Sequence, residues 1–297
     1  MRDFAELVAK AKAKGRRVCV VAKAEDEAVL EGVRLAGAHN MVAPILIGDK
    51  ARIENLAKGV GLGLAEAQII DCRDDEQIMK QADTLTKEKN AMLMKGQIAT
   101  STFLRGVLNK EYGLRSGRIL SHVAVLEIPA YHKLVLMSDG GMNPKLDLKT
   151  RVDIINNALK LAQAMGIANP RVALVAASES VNPDMPETVD AVEIVKMARA
   201  GQMAGAIVEG PFGFDVAISK ESAQHKKMKS EIAGDTDILI MPNISAGNIW
   251  AKGLMYFANA KAAGIVMGAS HAVVMLSRAD PPEAKLHSIA LGILTSE

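Results

Sequence analysis

RVCVVAKAEDEAVLEGVRLAGAHNMVAPILIGDK, residues 17–50, carries the pattern that decides the fold. Val18 to Ala22 is a short apolar run without alternation, the signature of a strand buried on both faces. Residues 25–38 then repeat apolar side chains at helical spacing, and APILIGD (43–49) returns to a strand that Gly48–Asp49 closes. Strand, helix and strand in so short a span make a βαβ unit, whose two strands lie parallel.

The rhythm extends outward in both directions. Phe4, Leu7 and Val8 give a helix before Gly15. Downstream come a helix over 51–58, the strand QIID (68–71), a helix over 74–89 and the strand AMLMK (91–95). GQIATST then turns into a helix through Val107 and Leu108. GRILSHVAVLEI and YHKLVLMSD lie close enough together to pair antiparallel, and DGGMNPKLD (139–147) is a turn-rich junction where a second domain can begin. Helices over 152–165, 187–200, 221–232 and 248–263 alternate with the strands RVALVAA, AGAIVEGP, DILIMP and AAGIVMG. VVMLS (273–277) is a last strand and 283–294 a last helix. The expected product is two α/β lobes with a cleft between them.

Composition agrees with that architecture and excludes several functions. A chain of 297 residues, 49% hydrophobic and 24% charged, fills about two domains. Its 36 Lys and Arg against 34 Asp and Glu leave a net charge of +2, without the basic excess of a nucleic-acid groove or a membrane surface. Aromatic residues are only 3%, too few for a base-stacking platform. Cys19 and Cys72 form neither a secreted disulfide scaffold nor a metal motif. The first fourteen residues lack a signal-peptide core, and the apolar run 262–276 contains His271 and is too short to span a bilayer. A cytoplasmic protein is expected.

Ligands of open α/β sheets sit beyond the carboxyl ends of the strands. One such end is KGQIATST (95–102) with Arg105, where Thr100, Ser101 or Thr102 as a helix cap leaves N–H groups facing an anion. An ordinary turn with surface cations explains the same letters, and the P-loop spacing is absent. EGPFGFD (209–215) and the Asn243, Gly247, Asn248 stretch are further polar strand ends, equally readable as turns and caps. Ser277-Arg278-Ala279-Asp280 is the strongest local candidate. It offers a hydroxyl, a permanent cation and a carboxylate at one strand end, against the alternative of an Arg–Asp pair capping the last helix. The six histidines fall in no HExxH pattern and no GxSxG occurs, so neither a metal site nor a serine hydrolase is expected.

Taken together, KGQIATSTFLRGVL, GLRSGRILSHVAV, DGGMNP, EGPFGFDVAIS, AGDTDILIMPNISAGNIWAK and SRAD followed by KLHSIA resemble the phosphate acetyl/butyryltransferase family, from about Arg17 to the C-terminus. Length and the lack of an extra N-terminal domain point to its butyryl-transferring branch, with the acetyl-transferring branch as the alternative. The resemblance implies reversible acyl transfer from acyl-coenzyme A to inorganic phosphate, giving acyl phosphate and free coenzyme A. It implies two α/β/α lobes of the isocitrate and isopropylmalate dehydrogenase kind, residues 1–139 plus 266–297 and residues 140–265. A homodimer or higher homo-oligomer is also implied; the missing ligand cluster gives the expectation of no metal and no tightly bound cofactor, and the charge balance that of no nucleic-acid or membrane partner.

By the same resemblance Ser277 and Arg278 are the catalytic pair. Lys95, Thr100, Arg105, Asn243, Gly247 and Asn248 contact substrate. The acidic residue of the acetyl-transferring relatives falls on Ala284, which leaves the general base between Asp280 and Glu283. A noncatalytic acyl-coenzyme A-binding protein would bind the thioester without releasing coenzyme A to phosphate. A nicotinamide-dependent dehydrogenase would need clustered aspartates for a metal, and the sequence offers none that is convincing.

Overall fold

The computed structural model describes residues 1–203, 205–277 and 279–296. After α1 (Phe4–Lys14), the deciding stretch folds as β1 (Arg17–Ala22), α2 (Glu27–Ala38) and β2 (Val42–Gly48). The two strands are parallel, with Val20 opposite Ile45 and Ala22 opposite Ile47. There follow α3 (Lys50–Val60), β3 (Gln68–Asp71), α4 (Asp75–Glu88), β4 (Met92–Lys95) and α5 (Thr100–Val107). The apolar letters of β1 and β4 are spent on burial from both faces: Cys19 to Val21 and Met92 to Leu93 expose no surface. An aspartate starts each of the first three crossover helices. Asp26, Asp49 and Asp74 accept hydrogen bonds from the N–H groups of Val29, Arg52 and Gln77.

The chain forms two compact units, and this first one comprises Phe4–Arg118 and Ala263–Glu297. Its C-terminal contribution is β10 (Lys261–Met267), β11 (Val273–Val274) and α11 (Pro282–Thr295). The strand order here is β3-β2-β1-β4-β11-β10. β11 runs parallel to β4 and antiparallel to β10. Helix α11 is almost wholly buried, packing on α1 and α2, with Phe4 stacked on His287 at 4.1 Å.

The other unit comprises Met1–Asp3 and Ile119–Ala262. It contains β5 (Ser121–Glu127), β6 (Val135–Ser138), α6 (Leu148–Ala164), β7 (Arg171–Val175), α7 (Pro186–Arg199) and β8 (Ile207–Phe212). After these come α8 (Phe214–Ile218), α9 (Lys220–His225), β9 (Ile238–Ile240) and α10 (Ile244–Phe257). Strands run in the order β5-β6-β9-β7-β8, with β5 and β6 antiparallel and the remaining pairs parallel. Leu126, Met137, Val216, Ile232 and Leu239 form the centre of its core.

Several elements differ from the sequence expectation for definite reasons. The units divide at 118/119 and 262/263 rather than at 139/140 and 265/266. Strand β6 pairs with β9 (Leu136 opposite Ile238), so the β5–β6 hairpin goes with the strands that follow it. The turn-rich 139–147 segment is therefore a loop inside one unit. The helix expected over 221–232 ends at His225, because Lys226 is tied to Glu179 at 2.7 Å and Asp215 at 3.0 Å, and Lys227 takes a left-handed φ of 54°. The strand expected over 273–277 stops at Val274, where the chain enters the Ser277 turn.

Candidate active site

The first unit brings its sequence-predicted residues to one edge. Because β11 pairs with β4 in parallel register (Val274 opposite Met94), the 95–100 loop and the 277–280 turn leave neighbouring strands at the same carboxyl end. β1 ends there too, with Ala22 opposite Lys95. Two main-chain bonds tie these ends together, from Gly96 N–H to Ala22 O (2.9 Å) and from Gln97 N–H to Lys23 O (2.7 Å). Only glycine fits at 96, since a Cβ there would overlap the Lys23 carbonyl oxygen.

Helix α5 starts from this loop. Ala99 occupies the cap position without a side-chain bond, so Thr100 is the first helical residue and none of the three hydroxyls caps the helix. The expected cap is thus replaced by an N-terminus without a side-chain cap among the described residues. Such an end, with exposed Thr100 and Ser101, favours an anion. Arg105 is exposed one turn along and donates to Thr102 Oγ1 at 3.2 Å. Lys95, by contrast, is buried, and its Nζ donates to Gly96 O at 3.2 Å.

The turn after β11 is held by its own aspartate. Ser277 N–H donates to Asp280 Oδ2 at 2.9 Å, Asp280 N–H to Ser277 O at 3.2 Å, and Ala279 N–H to Ser277 Oγ at 3.4 Å. Ser277 is exposed and faces no other element through these bonds. Arg278 lies outside the described residues. Glu283 is exposed in the first turn of α11. Lys285, two residues beyond Glu283 on α11, is buried, and its Nζ donates to Asp280 O at 2.7 Å. The sequence reading gave Lys285 no role. Its only signal is a single lysine in the run 284–294, where every other residue but His287 is apolar or small.

The remaining predicted residues belong to the other unit, at the carboxyl ends of β6 and β9. Asn243 caps α10, its Oδ1 accepting from Ala246 N–H at 2.9 Å. Asn248 Nδ2 donates to Gly140 O at 3.2 Å. Gly247 packs directly on Gly140, where a Cβ would lie 2.9 Å from the Gly140 Cα. Behind them Arg151, also unread in the sequence, bonds Asp190 Oδ2 and Pro242 O, both at 2.9 Å, and so fixes the β9–α10 turn. The EGPFGFD carboxylates serve internal contacts: Glu209 accepts from Ser230 Oγ (2.5 Å) and Glu231 N–H (3.0 Å), while Asp215 accepts from Lys226.

Cys19 is buried, and burial pushes its thiol up to about 12, far from a thiolate nucleophile at neutral pH. Among the described residues no group of His, Cys, Asp and Glu is placed to hold a metal ion, and no helix is long and apolar enough to cross a membrane.

The family model described as phosphate acetyl/butaryl transferase matches residues 3–92 and 82–293. A phosphate butyryltransferase of Clostridium acetobutylicum is 42% identical over 297 residues, covering 100% of this chain and 99% of the relative. A phosphate acetyltransferase of Thermotoga maritima is 39% identical over 286 residues, 96% of this chain and 97% of the relative. Among solved structures, a branched-chain phosphotransacylase from Enterococcus faecalis superposes with a TM-score of 0.83 at 32% identity, covering 95% of this chain and 99% of that one. The chain belongs to the phosphate acetyl/butaryl transferase family.

Proposed function

We propose that this family member is a phosphate butyryltransferase, moving a short acyl group reversibly between coenzyme A and inorganic phosphate. The observation that carries the reading is end-to-end identity of 42% with a phosphate butyryltransferase. The convergence of α5 and the Ser277 turn on one sheet edge supports it. The finer architecture, two lobes of the isocitrate and isopropylmalate dehydrogenase kind, belongs to the same proposal.

Phosphate binds at the open N-terminus of α5, where Thr100 and the first N–H groups meet its oxygens and Arg105 supplies a planar donor fork. Lys95 adds positive charge from beneath the loop. A phosphate oxygen attacks the thioester carbon, a C–O bond forms, and negative charge collects on the former carbonyl oxygen. Ser277 and Arg278 donate to that oxygen. Prepositioned donors of this type contribute about 3 kcal/mol each to acyl-transfer transition states. The C–S bond then breaks and coenzyme A leaves. In reverse, a carboxylate takes the thiol proton as sulfur attacks the acyl phosphate. Asp280 already spends one oxygen on Ser277 N–H, so we give it the task of holding the turn and give proton transfer to Glu283. Asn243, Gly247 and Asn248 are substrate contacts in this reading. No tightly bound cofactor takes part, and the enzyme works in the cytoplasm.

A homodimer or higher homo-oligomer completes the proposal. It is supported by α10, where Ile249, Tyr256 and Phe257 are 71%, 73% and 93% exposed. Sedimentation at micromolar concentration is expected to give at least twice the 31.6 kDa chain mass.

The deciding assay is phosphate-dependent release of coenzyme A thiol from acetyl-, propionyl-, butyryl- and isobutyryl-coenzyme A. The largest kcat/KM is expected with butyryl-coenzyme A. A maximum with acetyl-coenzyme A would move the chain to the acetyl-transferring branch, and no release with any thioester would leave a noncatalytic binding protein.

A further inference from the structure

We infer that Lys285 is a positioning residue for the reaction: its buried ammonium holds the Ser277–Asp280 turn in the geometry that acyl transfer uses. The inference rests on the acyl-transfer reading for the meaning of turnover, while its structural content stands on the contacts alone.

Lys285 is 2% exposed, an unusual place for a lysine. Its Nζ donates to the main-chain oxygen of Asp280 at 2.7 Å, a charge-assisted bond to a residue outside the helix that carries it. Asp280 in turn binds Ser277 through both its carboxylate and its N–H. The chain of contacts therefore runs from ammonium to Asp280 to Ser277. Helix α11 has no side-chain cap of its own, because Pro281 sits at the cap position. Lys285 is thus a described link between the body of α11 and the turn that precedes it.

The burial is built from the facing helix. A Cβ at Gly32 of α2 would stand 2.6 Å from the Lys285 Cβ and 3.4 Å from Pro282 O, so glycine lets α2 close over the lysine stem. The negative charges of Asp26, the cap of α2, and of Asp280 attract the ammonium and oppose the desolvation that pulls its pKa down. A charge kept in so dry a place costs stability, and an apolar side chain of similar length would pack there without that cost. Stability alone gives no reason for this lysine; holding the turn does.

The test uses the full chain with Lys285→Met, which keeps the unbranched stem, and Lys285→Gln, which keeps polarity without charge. Turnover, both KM values, thermal unfolding and amide hydrogen exchange are compared with wild type. For Lys285→Met the expected result is an unfolding midpoint close to wild type, kcat lower by about tenfold or more, and both KM values within threefold. Exchange is expected to quicken at the 277–280 amides and to stay unchanged elsewhere. Lys285→Gln is expected to move the same quantities in the same direction, and it carries the test where Lys285→Met does not fold. A folded variant with kcat within twofold of wild type, or a loss that falls on KM instead of kcat, overturns the inference. A wild-type chain without phosphate-dependent thiol release overturns the functional reading instead. In that case the 277–280 exchange rates still decide whether Lys285 holds the turn.

Discussion

Asp83 offers a measurement in which sequence, burial and pH meet. It lies on the buried face of α4 with Ile78, Met79, Ala82 and Thr86, has no exposed surface, and neither carboxylate oxygen has a hydrogen-bond partner among the described residues. Burial raises its pKa from 3.8 to about 7, and the charge of Lys87 one turn along only partly offsets this. The folded chain therefore holds the proton more tightly than the unfolded one. Stability from this group is fully present below pH 3.8 and is lost as pH rises toward 7, above which the difference is flat. A rise of about three units at 1.36 kcal/mol each sets the loss at roughly 4 kcal/mol, a large part of an ordinary folding free energy of about 5–15 kcal/mol. Asp83→Asn keeps the shape of the neutral acid and cannot ionise. Urea unfolding of both proteins between pH 4 and 8.5 isolates the effect, because every other titration cancels in the difference. Near pH 4 the two should agree within about 1 kcal/mol, and by pH 8 the variant should be the more stable by several kcal/mol. A difference that does not change with pH, or a variant less stable at pH 8, would refute the reasoning.

Two further outcomes concern the reaction. Arg278→Ala should stay folded, keep acyl-coenzyme A binding by titration calorimetry and lose roughly 10² or more in turnover, with Ser277→Ala losing less; near-normal turnover would remove the arginine from the oxyanion role. Arg105→Lys should raise the KM for phosphate more than that for acyl-coenzyme A, because lysine keeps the charge but not the planar fork. Steady-state kinetics with each substrate varied in turn decide the second.

The strands were legible because burial on both faces demands unbroken apolar letters, and RVCVVA, APILIG and MLMK have no alternation to confuse with a half-wet sheet. The aspartate caps at Asp49 and Asp74 show in the sequence only as the end of a strand and the start of a helical pattern. At α5 the sequence misleads about the cap: three hydroxyl residues suggest one, and Ala99 leaves the helix open. The unit boundary was misplaced by the same limitation. Glycine and proline mark 139–147 as a turn, but only the pairing of β6 with β9 decides on which side of a boundary that turn falls.

Ionisable residues show the limit most sharply. Asp83, Arg151 and Lys285 each interrupt the polar face of nothing; they stand on buried helix faces, where periodicity alone reads them as errors in an apolar stripe. Their environments separate them. Arg151 is paired with Asp190 and the Pro242 carbonyl, so its burial is compensated and it fixes a turn. Lys285 has the Asp280 carbonyl and the attraction of Asp26, which offset its desolvation only in part, and its turn carries Ser277. Asp83 has neither bond, and its remedy is the proton. A letter that breaks an apolar face is thus a question about its partner. Where the partner is a main-chain oxygen in the turn before the helix, as for Lys285, the burial of charge and the placing of a candidate catalytic turn are one and the same feature of the chain.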